Sequence, residues 1–221
     1  MKWVCVFDVN ETLLDLGALD PRFEEVLGDA SLRQAWFQQM LQSAMVSVIT
    51  DAYCDFGTIG RAALRMVAAR RGLELSEERA TFVVSGIREL PPHPEVPGAL
   101  RGLAEAGFRL AALTNSTREV AEAQLQHAGL APLFEQILTA DSVRRLKPAR
   151  EPYLMAAERL EVTPKEVLLV AAHSWDVAGA MRAGCSAAFV ARPGMVLDPL
   201  APEPQVVGED LGAVAGAVIR G

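Results

Sequence analysis

The stretch WVCVFDVNETLLDL (residues 3–16) holds a short apolar run, rich in Val, that ends abruptly on the carboxylate of Asp8. An unalternating apolar run over residues 3–7 is what a parallel strand covered on both faces requires. A bare Asp at the end of such a strand is costly to desolvate unless something pairs with it or uses it. Taken alone, Asp8 suits a turn former equally well, so its case rests on the company it keeps further along the chain.

Outward from this strand the pattern changes. From Phe23 to about Glu89 the apolar residues recur with helical spacing, as in LRQAWFQQMLQSAMVSVI and GRAALRMVAARRG, with no strand between. The Pro-dense LPPHPEVPG at 90–98 cannot continue a helix and reads as the linker that closes the block. Strand and helix signals then alternate. FRLAALTN is a strand, a helix follows from about Arg118 to Ala128, and QILTA is a short strand. EPYLMAAERL is a helix, VLLVAA a strand, DVAGAMRAG a helix and AAFVAR a strand. This alternation predicts an α/β fold, a Rossmann-like doubly wound parallel sheet with a helical cap inserted after strand 1. The expected core comprises residues 1–14 and 92–221, and the cap residues 15–91.

Composition narrows the function. The 221 residues include 51% hydrophobic ones, enough for a sizeable core, and the net charge of -7 offers no basic face for nucleic acid or an anionic membrane. Lys2 is followed by only a short apolar run, so neither a secretory signal nor a membrane span is expected and the location is read as cytoplasmic. Cys5, Cys54 and Cys185 are odd in number and lack CxxC spacing, which suits free thiols. His93, His127 and His173 follow no metal-ligand pattern, and no phosphate-cradling GxGxxG or GxxxxGK[ST] follows a strand. The basic MVAARRG suits a solvated helix end. The ligand is therefore expected to be a small molecule.

Open α/β sheets bind ligands at the carboxyl ends of their strands. There this chain places Asp8, then LTNST (113–117), Lys147 in RRLKP, and AAHSWD (171–176). Each has a plainer reading: Thr114 and Asn115 as turn or cap formers, Asp176 as a helix cap, His173 as a structural imidazole, Trp36 and Phe37 as helix packing. Lys147, one of three lysines in the chain, stands before a Pro at a βα junction. A carboxylate, a hydroxyl and amide pair, a Lys and a His with an Asp thus converge in one cleft under the cap.

In order, FDVNETLLDL, LTNS, RRLKPAREPY and VAAHSWDVAGAMRAG resemble the four motifs of the haloacid dehalogenase superfamily, over nearly the whole chain. The insertion after the first motif, LTN, the KPxxxxY form and WDVAGA resemble the type II, or L-2-haloacid, dehalogenases. In the superfamily's phosphatases the first motif reads DxDxT and its second Asp is the leaving-group acid. Here that position is Asn10, which donates a hydrogen bond but gives up no proton near neutral pH. The two acids that commonly hold Mg²⁺ there correspond to Ala172 and Asp176, so no metal or other cofactor is expected.

The resemblance implies that Asp8 attacks a halide-bearing carbon to form an aspartyl ester, which water hydrolyses to a 2-hydroxy acid. It assigns Thr12 to orienting Asp8, Lys147 to holding it ionised, and Asp176 to positioning Lys147 and the water. The expected substrate-binding set is Val9, Asn10, Phe37, Thr114, Asn115, Tyr153 and Trp175. Within it, Thr114 and the backbone after strand 1 hold the substrate carboxylate, Asn115 faces the halide, and Tyr153 completes the floor. Phe37 stands where typical members carry a halide-binding Arg, a loss of about 1.5 to 3 kcal/mol of leaving-group stabilisation. Ala171 and His173 replace a usual Ser and Asn, and a protonated His173 is the candidate to donate to the halide or activate the water. The resemblance also implies a homodimer. Two other functions stay open: an Mg²⁺-dependent small-molecule phosphatase, and a non-catalytic scaffold that binds a small acid or a partner chain.

Overall fold

The computed structural model describes residues 3–221; residues 1 and 2 of the expected core segment lie outside the described residues. Strand β1, Val4–Phe7, is buried along its whole length. It runs between β2 (Arg109–Thr114) and β4 (Val167–Ala171), with Val4 opposite Arg109 on one side and Val167 on the other. With β3 (Gln136–Thr139), β5 (Ser186–Val190) and β6 (Val206–Gly208) the sheet order is β3-β2-β1-β4-β5-β6, and every pair is parallel. The order reverses at β1 and β4, so the carboxyl ends of these two strands flank the crevice where such sheets bind ligands.

Alternation along β1 splits the core. Cys5 and Phe7 pack with Leu100, Leu125 and Val214 on one face, while Val4 and Val6 pack with Tyr153, Ala156 and Val177 on the other. Burying an aliphatic or aromatic side chain of this kind contributes about 1.5–3 kcal/mol, which is why the run is apolar without interruption. The helices covering the faces are α5 (Val96–Glu105), α6 (Arg118–His127), α7 (Arg150–Arg159), α8 (Ser174–Arg182) and α9 (Leu211–Arg220). Cys5 and Cys185 are free buried thiols, pushed up to about 12 by that burial.

Between β1 and β2 lie four cap helices: α1 (Asp20–Leu27), α2 (Leu32–Ile49), α3 (Phe56–Arg70) and α4 (Glu77–Ser85). Local chemistry sets several of their ends. Gly28 ends α1 in the left-handed region (φ 71°), while the Asp55 and Ser76 side chains accept Thr58 and Arg79 amides at the starts of α3 and α4. Trp36 on α2 donates to the Gly60 carbonyl of α3 at 2.8 Å and packs on Phe23. The chain leaves and re-enters the core side by side: Asp15 N donates to Pro91 O and His93 N to Leu13 O.

Four elements differ from expectation. Helix α5 begins at Val96, inside the stretch read as a linker, because Pro97 sits in the first turn, where its missing N–H breaks no bond. Helix α8 begins at Ser174 rather than Asp176, so Asp176 lies in its first turn and is not the cap. Strand β6 and helix α9 were not read from the sequence; β6 is a three-residue edge strand, too short to show a period.

Candidate active site

Asp8 stands one residue past the end of β1, and its amide donates to Val170 O, so the ladder with β4 sets its place. The residue is 5% exposed and its side chain receives three donors. Lys147 Nζ lies 2.8 Å from Oδ1, while Thr12 Oγ1 donates to Oδ2 at 2.7 Å and His173 Nδ1 lies 3.3 Å from Oδ2. Burial alone would raise the carboxyl; the Lys147 charge and the His173 hydrogen bond overcome it and hold Asp8 well below the usual carboxylate range. Thr12 also accepts the Ala172 amide at 3.0 Å, so it ties the loop after β1 to the end of β4.

Lys147 is 2% exposed, and each of its three N–H bonds has an acceptor: Asp8, Asp176 Oδ2 at 2.6 Å and Leu113 O at 2.8 Å. Burial opposes its charge, but the two carboxylates reverse that and raise the ammonium above its ordinary value. Asp176 is fully buried; desolvation raises it, the Asp8 charge adds to the rise, and Lys147 partly offsets both. Its Oδ1 accepts from Tyr153 Oη at 2.6 Å. That approach needs a residue without a side chain at Gly179, where a Cβ would stand 2.7 Å from Tyr153 Oη and from Pro148 Cβ.

Asn115 and Tyr153 have protein partners that hold the catalytic groups in place. Asn115 Oδ1 accepts the Lys147 amide at 2.8 Å and Nδ2 donates to the Lys147 carbonyl at 3.3 Å, which clamps the Lys-bearing loop. Tyr153 orients Asp176. Thr114 Oγ1 accepts the Ser116 amide at 3.2 Å, a turn rather than a helix cap. Asn10 Oδ1 accepts from Gln124 at 2.8 Å, and Val9 is fully buried beside it.

His173 is where the structure adds most. Its ring stacks on Trp175 (centroids 5.2 Å apart) and tilts against Phe37 of α2 (5.7 Å), so the cap closes on the core through this residue. Nε2 lies 2.8 Å from Glu11 Oε2. Both ring nitrogens thus face carboxylates, which only accept, and a neutral imidazole has one N–H to give. Burial would lower His173, but the hydrogen bonds to Asp8 and Glu11 raise it to about 9, so it is a cation at neutral pH. In the resting site both N–H groups are thus taken up by carboxylates.

Glu11 and Arg33 were missed. Glu11 has positive φ (61°), rare for a residue with a side chain, and lies 3.9 Å from Arg33, which also binds Asp20 at 2.5 Å. Its signal was an acid in the loop after β1, passed over as a spacer inside the motif. Gln124 and Arg192 were also missed; the position of Arg192 after β5 was a usable signal, whereas nothing local marks Gln124. A cleft of about 850 Å³, bordered by Glu11, Arg33, Phe37, His173, Trp175 and Arg192, opens beside this cluster.

The donor set is a poor match to a divalent cation: the Lys147 ammonium stands between Asp8 and Asp176, Asn10 is bound to Gln124, and Ala172 brings no oxygen side chain. Among the described residues no group of three or more His, Cys, Asp or Glu side chains is placed to hold a metal ion. No helix among them is long and apolar enough to cross a membrane.

Residues 4–184 match the family model described as haloacid dehalogenase-like hydrolase. The chain is 31% identical over 189 residues to an (S)-2-haloacid dehalogenase of Xanthobacter autotrophicus, covering 85% of this chain and 74% of that one. It is 29% identical over 200 residues to haloacetate dehalogenase H-2 of a Moraxella species, covering 90% and 89%. The structure of the X. autotrophicus L-2-haloacid dehalogenase with chloropropionic acid covalently bound superposes with a TM-score of 0.94, at 28% identity and coverage of 100% and 99%.

Proposed function

Because the chain belongs to the haloacid dehalogenase-like hydrolase family, we propose that it hydrolyses small 2-halocarboxylates to 2-hydroxy acids through an ester on Asp8, without a metal ion. The observation that carries this reading is the pairing of Asp8 with Lys147, in a site where the residue two positions on is an amide and not an acid. A halide needs no proton to leave; a phosphate ester's alkoxide does.

Asp8 Oδ1 carries one hydrogen bond and Oδ2 carries two, so Oδ1 is the freer nucleophile. It attacks the carbon from behind the halogen, which inverts that carbon, and the halide departs with the bonding pair. The Thr114 hydroxyl and the backbone after β1 at Val9 and Asn10 receive the substrate carboxylate; Phe37 and Trp175 line the approach. Asn115 and Tyr153 keep Lys147 and Asp176 in place. Support for a homodimer comes from α2, where Val46 is 52% and Ile49 82% exposed.

The test is halide release from fluoro-, chloro- and bromoacetate and from both enantiomers of 2-chloropropionate, with EDTA present and Asp8→Asn as control. Release by the wild type and none by the variant is expected. No release from any of these substrates, with Mg²⁺-dependent phosphate ester hydrolysis instead, would overturn the reading.

A further inference from the structure

We propose that the cationic His173 ring, held by Glu11, acts with the Thr12 hydroxyl as the oxyanion site for hydrolysis of the Asp8 ester. This inference rests on the function proposed above and concerns only its second half. Three observations converge. Thr12 Oγ1 and His173 Nδ1 both address Oδ2, the oxygen that does not attack and so becomes the ester carbonyl. His173 carries a proton on each nitrogen because carboxylates face both. Glu11 is held at positive φ with its carboxylate on Nε2, and backbone in sparsely populated regions collects at functional sites.

The role of Glu11 follows from what alkylation does. In the resting enzyme His173 has two anionic partners; once Asp8 is an ester, Glu11 alone faces the imidazolium. The other charged groups around the ring are one step removed. Lys147 reaches it through Asp8 and Arg33 lies against Glu11, while His93 Nε2 contacts Glu11 O at 3.1 Å and Arg192 donates to Thr12 O at 2.8 Å. Glu11 is thus a positioning residue that keeps His173 charged through the second half of the reaction.

The step balances as follows. Water oxygen bonds to Asp8 Cγ, and the carbonyl pair moves onto Oδ2, where Thr12 and His173 receive the negative charge. Collapse restores the carbonyl and breaks the Cγ–Oδ1 bond, so Oδ1 leaves on the 2-hydroxy acid. The water proton passes to Asp176, and Lys147, between Asp176 and Oδ1, gives one to the departing alkoxide and regains one from Asp176. The remaining carboxyl proton is lost to solvent, leaving Asp8 ionised. At 3.3 Å the His173 contact is long in the resting state; such bonds shorten when charge gathers on the acceptor.

The experiment is rapid-quench kinetics with 2-chloropropionate, following chloride and lactate separately, with intact-protein mass spectrometry of the quenched enzyme. Glu11→Gln and His173→Leu are compared with wild type. The His173 variant is expected to release a chloride burst of about one per active site and to accumulate the ester, hydrolysed about 100-fold more slowly, the effect of losing one oxyanion donor; Glu11→Gln keeps the burst and slows ester hydrolysis as pH rises. In Glu11→Gln the alkaline limb of ester hydrolysis also moves to lower pH, which a merely structural role would not do. Variants that slow burst and turnover equally, or leave ester hydrolysis unchanged, would overturn the inference while the dehalogenase reading stands. No chloride from the wild type would overturn both.

Discussion

Replacing Lys147 by Met tests the centre of the site, because it removes a charge and keeps most of the volume. The ammonium is fully buried between Asp8 Oδ1 (2.8 Å) and Asp176 Oδ2 (2.6 Å). Without it Asp8 keeps Thr12 and His173, but Asp176 keeps only Tyr153. Removing one partner of a buried ion pair costs about 3–5 kcal/mol. For a chain of this length that is a fall of about 10 °C in Tm. The sign of the pH dependence is fixed: a carboxyl raised in the folded state gives stability that is present at low pH and lost as pH rises through its folded value. Lys147→Met raises Asp176 further, so the deficit against wild type should be larger at pH 8 than at pH 5. Losing an opposite charge also raises Asp8 by about 1–3 pH units, back toward the ordinary carboxylate range, so residual halide release should climb with pH only at the acid end, up to about pH 5, where the wild type is flat. Thermal unfolding at both pH values and initial rates from pH 4 to 8 measure these effects. An equal stability deficit at pH 5 and pH 8, or activity loss independent of pH, would refute the reasoning.

Gly179→Ala would set a Cβ 2.7 Å from Tyr153 Oη, and overpacking of this kind costs about 1–3 kcal/mol; urea unfolding should show it, and Tyr153→Phe should combine with it less than additively. His173, raised from 6.5 to about 9, contributes stability that is complete below pH 6.5 and is lost as pH rises through about 9. At about 1.4 kcal/mol per pH unit this amounts to about 3 kcal/mol, and a stability profile over that window should be flatter in His173→Asn.

By itself the sequence determined the frame. An apolar run that stops on Asp8, a helical block, and strand-helix alternation are local patterns, because the pleat and the helical turn repeat within a few residues. They place Asp8, Thr114 and His173 at strand ends, with Lys147 and Asp176 close by, before any packing is known. Patterns too short or too permissive to carry a period escaped: β6 with three residues, and α5, whose start hides in a Pro-rich stretch. Tertiary structure alone decided who bonds to whom. Asn115 holds the Lys147 backbone across 32 positions and Tyr153 serves Asp176 across 23, while the partners of His173 stand 162 and 165 residues away. Glu11 looks like a spacer in the chain and becomes the counter-ion of an imidazolium only when β1 and β4 lie side by side. The physical reason is desolvation: a charge has little preference for one partner in water, and burial in a crevice between two strands makes each pairing obligatory.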